Sequence, residues 1–376
     1  MNICLWVFSA SIVKPLVGDG TGSQSQKEAP PEPRRDTSGG RADVAVPKTL
    51  ELLSLSVSSR KEEMGCNRPS SSCLHAGGFL SLTTMNGRVL LGSHVSIAGG
   101  LHTAFARGRS VGCTTMQIFT KNTNRWESRP LESAEIAEFK SAEKDSGIVP
   151  VVVHAAYLIN LCAVRPRILQ KSREAYADEL RRSEQLGCLG VVVHPGSHMG
   201  AGAAAGIARI AESLNIVHEK TKGFRTLTIL ETTAGQGTSI GHRFEELREI
   251  LDGVEERARI AVCLDTCHLF AAGYHVNSEE GWDTTLRECD NLLGLSRIAA
   301  VHVNDSRKGF GSRLDRHEHI GKGLIGETGF RFVMNDGRFA GVPKILETDK
   351  SEDLHEDLEN ISFLRGLINP EGTTPG

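Results

Sequence analysis

Val301 to Gly323 reads VHVNDSRKGFGSRLDRHEHIGKG, and the β-branched residues Ile298, Val301 and Val303 surround its His302. Beyond them the chain turns polar and Gly-rich at once. Asp315 and His317 stand two apart, so in an extended segment both side chains leave by the same side. A strand end, a loop and a carboxylate–imidazole pair can hold a divalent cation from two directions. Taken alone, the stretch also fits a solvated loop rich in charge. The rest of the chain separates the two readings, because it repeats the same arrangement.

Short apolar runs recur from Met85 onward, at Val89–Val95, Thr115–Phe119, Ile148–Val153, Leu189–Val193, Leu227–Leu230, Ile260–Leu264, Ile298–Val303 and Val342–Leu346. Helical patterns accompany them at Arg165–Leu186, Ala203–Thr221, Phe244–Leu251, Glu280–Leu293 and Glu352–Leu367. In the first of these, Leu169, Ala175, Leu180 and Leu186 fall at near-helical spacing among charges. Strands alternating with helices imply a parallel sheet with helical crossovers. Eight such runs within residues 85–376 suit an α/β fold of the (β/α)8 TIM-barrel kind. A doubly wound open sheet is disfavoured, since no GxGxxG follows the first strand.

The strand ends carry the chemistry. The third run ends in His154, the fourth in His194, the fifth in Glu231, the sixth in Asp265 and the eighth in Glu347, while the seventh contains His302. In a barrel the C-terminal strand ends converge on one mouth, so these groups share a cavity. His268 follows Asp265 by one helical turn and can face the same way. With Asp315 and His317 the set comprises five imidazoles and four carboxylates. Nitrogen and oxygen donors without cysteine suit catalytic Zn²⁺, with Mn²⁺ or Fe²⁺ as alternatives. Three ions would take about three protein ligands each and keep positions open for water or substrate. Four carboxylates against three divalent ions leave a residual charge of about +2, which a phosphate diester suits.

Composition narrows the classes further. The net charge of −3 offers no general attraction to nucleic acid, so a polyanion must be held by local basic groups or bound metal. No run reaches the ~18 apolar residues of a membrane span. Nine scattered cysteines without a CxxC pair argue against a disulfide framework and for small buried thiols in a reducing compartment. Residues 1–84 differ in kind: Gly18 to Pro47 is dominated by Gly, Pro, Ser and charge, the composition of a disordered extension. Lys48–Val57 could form a short helix on a partner surface. The first residues, MNICLWVFSASIV, lack the basic start and cleavage site of a secretory signal. Met85 immediately precedes the first good strand, so the extension is either a tail or sequence upstream of the true start. A cytoplasmic protein is expected, nucleoid-associated in a bacterium, with organellar targeting left open by the extension.

The motifs HxxYLINL (His154 to Leu161), HPGSH (His194 to His198), ETTAGQG (Glu231 to Gly237), DTCHxFAAGY (Asp265 to Tyr274), HVND (His302 to Asp305), DRHxxIGxG (Asp315 to Gly323) and ILET (Ile345 to Thr348) resemble those of the endonuclease IV family of abasic-site endonucleases. The likeness runs from about Leu91 to Thr348. It implies a trinuclear zinc site, with Mn²⁺ or Fe²⁺ as alternatives at one position. One ion would be held by His154, His194 and Glu231, a second by Glu231, Asp265, His302 and Glu347, and a third by His268, Asp315 and His317. The implied reaction is hydrolysis of the phosphodiester 5′ to an abasic deoxyribose in double-stranded DNA, leaving a 3′-hydroxyl, together with trimming of blocked 3′ ends. Glu231 would bridge two ions and orient the attacking water.

Substrate must leave the duplex to reach a barrel mouth. Tyr157 and Leu158 match the family's wedge that fills the gap in the base stack. Lys121 and Arg125, after the second strand, are candidates for phosphate contact, while Asn124 stands where family members often carry a longer or basic side chain. Arg307, Lys308, Arg313, Arg316 and Lys322 form a second basic group, with Arg313 and Arg316 expected on DNA. His94 and His198 are read as supports of the metal ligands, and His218, His242, His275, His319 and His355 as surface residues. Gly235 and Gly237 fit either a phosphate cradle or a turn of positive φ. A sugar isomerase or epimerase on a similar barrel is the enzymatic rival, and a non-catalytic damage-recognition protein with structural metal is the other. The short connections suggest a monomer.

Overall fold

The computed structural model describes residues 89–369. The expected division between residues 1–84 and 85–376, the disordered extension and the Lys48–Val57 helix lie outside these residues.

Eight strands form the sheet: β1 (Leu91–Val95), β2 (Met116–Ile118), β3 (Val151–His154), β4 (Gly190–Val193), β5 (Leu227–Glu231), β6 (Ile260–Asp265), β7 (Ile298–His302) and β8 (Lys344–Leu346). Each pairs parallel to the next, and β8 closes the barrel on β1. Around them run α1 (Thr103–Ser110), α2 (Ser133–Ser146), α3 (Pro166–Leu186), α4 (Ala203–Lys220), α5 (Phe244–Gly253), α6 (Thr266–Ala272), α7 (Glu279–Leu292), α8 (Gly326–Asn335) and α9 (His355–Gly366). The TIM barrel expected from the alternation is therefore the observed fold. The boundaries follow local chemistry. Pro166 opens α3, where its missing N–H costs nothing, and Gly187 at φ 79° ends it. The last helix starts three residues later than its apolar spacing suggests, because Leu354 takes a left-handed turn at φ 62°.

Side chains alternate along a strand, so barrel residues divide by parity. Val152, Val192, Ile229, Cys263, Ala300 and Ile345 meet in one cluster inside the barrel. The residues between them, among them Val153, Val193, Leu230, Leu264, Val301 and Leu346, belong to the outer core with Tyr176, Leu214 and Ile250 of the helices. Among the described residues no helix is long and apolar enough to cross a membrane.

Candidate metal centre and nucleic-acid interface

Two residues beyond each inward member of that cluster stands a polar side chain of the same parity. Val152 leads to His154, Val192 to His194, Ile229 to Glu231, Cys263 to Asp265, Ala300 to His302 and Ile345 to Glu347. The apolar floor thus ends in a ring of donors at the C-terminal mouth. Asp265 also caps α6, its Oδ1 accepting from the His268 N–H at 2.8 Å, which anchors His268 beside the ring. Asp315 and His317 arrive on the loop after β7, pinned where Asp305–Ser306 pairs antiparallel with His317–Glu318. The Asp305 carboxylate accepts from the backbone N–H groups of Ser306, Gly321, Gly323 and Ile325, at 2.8 to 3.0 Å. A Cβ at Gly323 would stand 2.5 Å from that carboxylate, so only glycine fits.

All nine expected ligands converge, in overlapping groups. His154, His194 and Glu231 form one, and Glu231, Asp265, His302 and Glu347 another, each with donor atoms within 4.8 Å of one another. Around the third position Asp265, His268 and His317 form one such group, and Cys267, Asp315 and His317 a second. Glu231 divides its carboxylate between the first two: Oε2 lies 3.3 Å from His154 Nε2 and 3.0 Å from His194 Nε2, and Oε1 lies 2.9 Å from His302 Nδ1. Asp315 stands between His268 Nε2 at 3.2 Å and His317 Nε2 at 3.3 Å.

The tautomers test whether these donors suit a cation. His154 Nδ1 faces the Ala155 carbonyl at 2.9 Å, His268 Nδ1 the Thr232 carbonyl at 2.8 Å and His317 Nδ1 the Glu347 carbonyl at 3.3 Å. A carbonyl only accepts, so each neutral ring carries its proton on Nδ1 and turns the Nε2 lone pair toward a carboxylate. Lone pair facing carboxylate is repulsive unless a proton or a cation lies between. His268 Nε2 is buried, with Asp315 Oδ2 3.2 Å away as the carboxylate it faces. The donor set fits divalent metal.

The imidazoles and carboxylates shift one another's pKa. Burial works against a charged His268, yet Asp265 and Asp315 outweigh it and hold the imidazole well above its ordinary range. Burial likewise opposes the charge on His317, but Asp315 brings its pKa to about 9. Burial alone would raise Glu231 and Glu347; the facing imidazoles, His194 and His302 on the first and His302 on the second, keep both well below the carboxylate range.

Sequence reasoning missed two residues. Gln117 on β2 is fully buried and bonds to His302, Glu347 and His94. Asn304, also fully buried, donates to Asp265 Oδ2 at 2.7 Å and accepts from the Glu347 N–H at 2.8 Å. Inward parity beside ligands was the available signal for the first, and adjacency to His302 for the second. His94 and His198 hold the places expected of supports: His94 lies 3.7 Å from Glu347, and His198 Nδ1 accepts from the Gly202 N–H.

The expected DNA contacts divide. Tyr157 and Leu158 are exposed beside the mouth, with the Tyr157 ring 6.0 Å from that of His154. Arg125 and Asn124 are exposed on the loop after β2, and Arg313 on the loop after β7. Arg316 donates to the Asp315 carbonyl and to Gln236. Arg307 and Lys322 are drawn toward Glu318 and Glu359. Lys121 corrects the expectation. Its side chain is 1% exposed, 3.1 Å from Asp178 and 3.5 Å from Glu179 on α3, so those acids and not phosphate take its charge. His218 is a second correction: it is buried against Thr228 at 2.9 Å rather than on the surface. Gly235 and Gly237 have φ of 75° and 64°, the turn geometry.

Residues 105–367 match the family described as Xylose isomerase-like TIM barrel. The chain is 48% identical over 277 residues to the "Probable endonuclease 4" of Chloroflexus aurantiacus, covering 74% of this chain and 97% of that relative. It is 47% identical over 283 residues to the protein of the same name from Geobacter sulfurreducens, covering 75% and 96%. Endonuclease IV from Thermus thermophilus superposes with a TM-score of 0.66 at 38% identity, covering 74% of this chain and 98% of that one. A D-tagatose 3-epimerase-like protein, at 18% identity and TM-score 0.57, shares the fold alone.

Proposed function

We propose, from the premise that this chain belongs to the endonuclease IV family, that it is a zinc-dependent abasic-site endonuclease of base excision repair. It hydrolyses the phosphodiester 5′ to an abasic deoxyribose in duplex DNA, leaves a 3′-hydroxyl and trims blocked 3′ ends. The observation that carries the reading is the set of imidazole Nε2 atoms 3.0 to 3.3 Å from the carboxylates of Glu231 and Asp315 at the mouth. Three zinc ions fill it, with Mn²⁺ or Fe²⁺ as alternatives at one position. His154, His194 and Glu231 hold one, Glu231, Asp265, His302 and Glu347 a second, and His268, Asp315 and His317 a third.

When bound, such ions lower the pKa of coordinated water toward neutrality and offset charge on the phosphoryl and leaving oxygens. The chain does the rest. Glu231, with one oxygen toward each of two ligand groups, orients the attacking water. Tyr157 and Leu158 occupy the gap left when the abasic nucleotide turns out of the stack. Arg125, Arg313 and Arg316 hold flanking phosphates. The protein works as a monomer in the cytoplasm, on the nucleoid in a bacterial cell.

The test is incision of a duplex bearing one abasic analogue, by purified protein without added Mg²⁺, with zinc counted by elemental analysis. Cleavage on the 5′ side and about three zinc ions per chain are expected. An intact duplex after treatment with fully metal-loaded protein overturns the proposal.

A further inference from the structure

We propose that Gln117 is the positioning residue of the second ligand group, setting the tautomer of His302 and the orientation of Glu347. This rests on the metal reading above. Gln117 stands on β2 opposite His94 of β1 and Val152 of β3, with no exposure to solvent. Its amide nitrogen lies 2.5 Å from Glu347 Oε1 and 3.0 Å from His94 Nδ1, and its oxygen 3.0 Å from His302 Nε2.

The donors and acceptors then follow in one order only. An ionised carboxylate accepts and never donates, so the amide nitrogen belongs beside Glu347 and the oxygen beside His302. The oxygen only accepts, so His302 carries its proton on Nε2. The neutral ring is left with its lone pair on Nδ1, the atom 2.9 Å from Glu231 Oε1 and 3.1 Å from Glu347 Oε2. With Glu347 Oε1 bound to the amide, Oε2 is the oxygen turned to the same point. One side chain thus aims two ligands. His154, His268 and His317 have their Nδ1 protons fixed by backbone carbonyls. His302 is the one of these four whose tautomer depends on a side chain, and the one that presents Nδ1.

If Gln117 merely fills space, Gln117→Met, similar in volume but without donor or acceptor, should leave the centre unchanged. The experiment strips the full-length protein, titrates it with zinc against a chromophoric chelator, and records imidazole ¹⁵N and ¹H spectra of the zinc-loaded protein. For Gln117→Met, one zinc should bind ~10–100-fold more weakly, the usual effect of losing a partner that orients a ligand. The other ions should keep their affinity, and the His302 Nε2–H resonance should lose the shift that its hydrogen bond to Gln117 gives it. Gln117→Glu retains an acceptor for His302 and should restore that shift. Should Gln117→Met fail to fold, Gln117→Asn, too short to reach Glu347 and His302 together, is expected to show the same weakening. Wild-type zinc affinity with an unchanged His302 Nε2–H shift in a folded Met or Asn variant overturns the proposal. A wild-type protein that takes up no zinc overturns the metal reading itself, and the two failures are distinct.

Discussion

Beneath the loop after β2, Lys121 and Arg182 meet Asp178 and Glu179 in a group the chain closes by itself. Lys121 pairs with both acids, Arg182 with Asp178, and Thr120 donates to Glu179 at 2.6 Å. At the barrel mouth the ion-pair partners of the four carboxylates Glu231, Asp265, Asp315 and Glu347 are imidazoles, and among the described residues no lysine or arginine makes an ion pair with any of them. Both groups are largely buried, and burying charge is costly unless it is paired. The first group uses permanent cations and is finished on folding. The second uses groups that can give up their protons, which leaves room for cations supplied from solution.

The strongest way to break this contrast is to disable the open group at its shared member. Glu231→Gln removes the charge that faces two ligand groups, so zinc should fall at both. Incision of an abasic duplex should drop on the order of 10³-fold or more, since the residues of a catalytic unit act together. Elemental analysis beside single-turnover kinetics checks it. A Gln variant within tenfold of wild type would mean that the mouth is closed without metal.

The closed group should respond in stability. Lys121→Met strands Glu179 uncompensated, and removing one partner of a buried pair costs roughly 3–5 kcal/mol. The double variant Lys121→Met with Glu179→Leu should recover most of that, because no lone charge remains. Urea denaturation of the two variants decides. Equal losses in both would show that the lysine stem, and not its charge, holds the loop.

These two groups were unequally legible in the sequence. The mouth residues could be read because each stands at a fixed parity beyond an apolar strand residue, and period two is a local property. Gln117 escaped that logic: β2 is three residues long, and a glutamine inside MQI looks like an interruption. Lys121 was misplaced because a lysine in a polar loop looks solvated, while its partners lie far along the chain on α3, out of reach of any local pattern. His218 was misplaced for a simpler reason. It follows Leu214 by four on α4, so it shares that buried face, a signal that polarity concealed.

His218 sharpens the comparison between imidazoles. His154, His268 and His317 at the mouth are raised by carboxylates against the pull of burial; for His218, burial, with Arg259 adding to it, lowers the pKa to about 4. A group whose folded pKa lies below its unfolded value of about 6.5 is neutral when folded and charged when unfolded between the two. Its contribution is therefore present above pH 6.5 and lost as pH falls toward 4, by about 3 kcal/mol. Replacement by glutamine should flatten this part of the stability–pH curve in metal-stripped protein. An unchanged slope in chemical denaturation would place the titration elsewhere.

The smallest effect separates the two cations of one loop. Arg125 is exposed and Lys121 is buried four residues away, so only the first can release counterions when DNA binds. Each phosphate contact contributes about 0.9 to the slope of log affinity against log salt on duplex DNA. Arg125→Ala should lower that slope by roughly one and weaken binding a few-fold near 0.15 M salt, about equally for abasic and intact duplex. The Lys121→Met, Glu179→Leu double variant should keep the full slope, since its lysine was already neutralised by acids of the same chain. A loss of slope in that folded double variant, equal to the loss in Arg125→Ala, would put Lys121 back on the phosphate backbone and dissolve the distinction between charge the fold consumes and charge it offers.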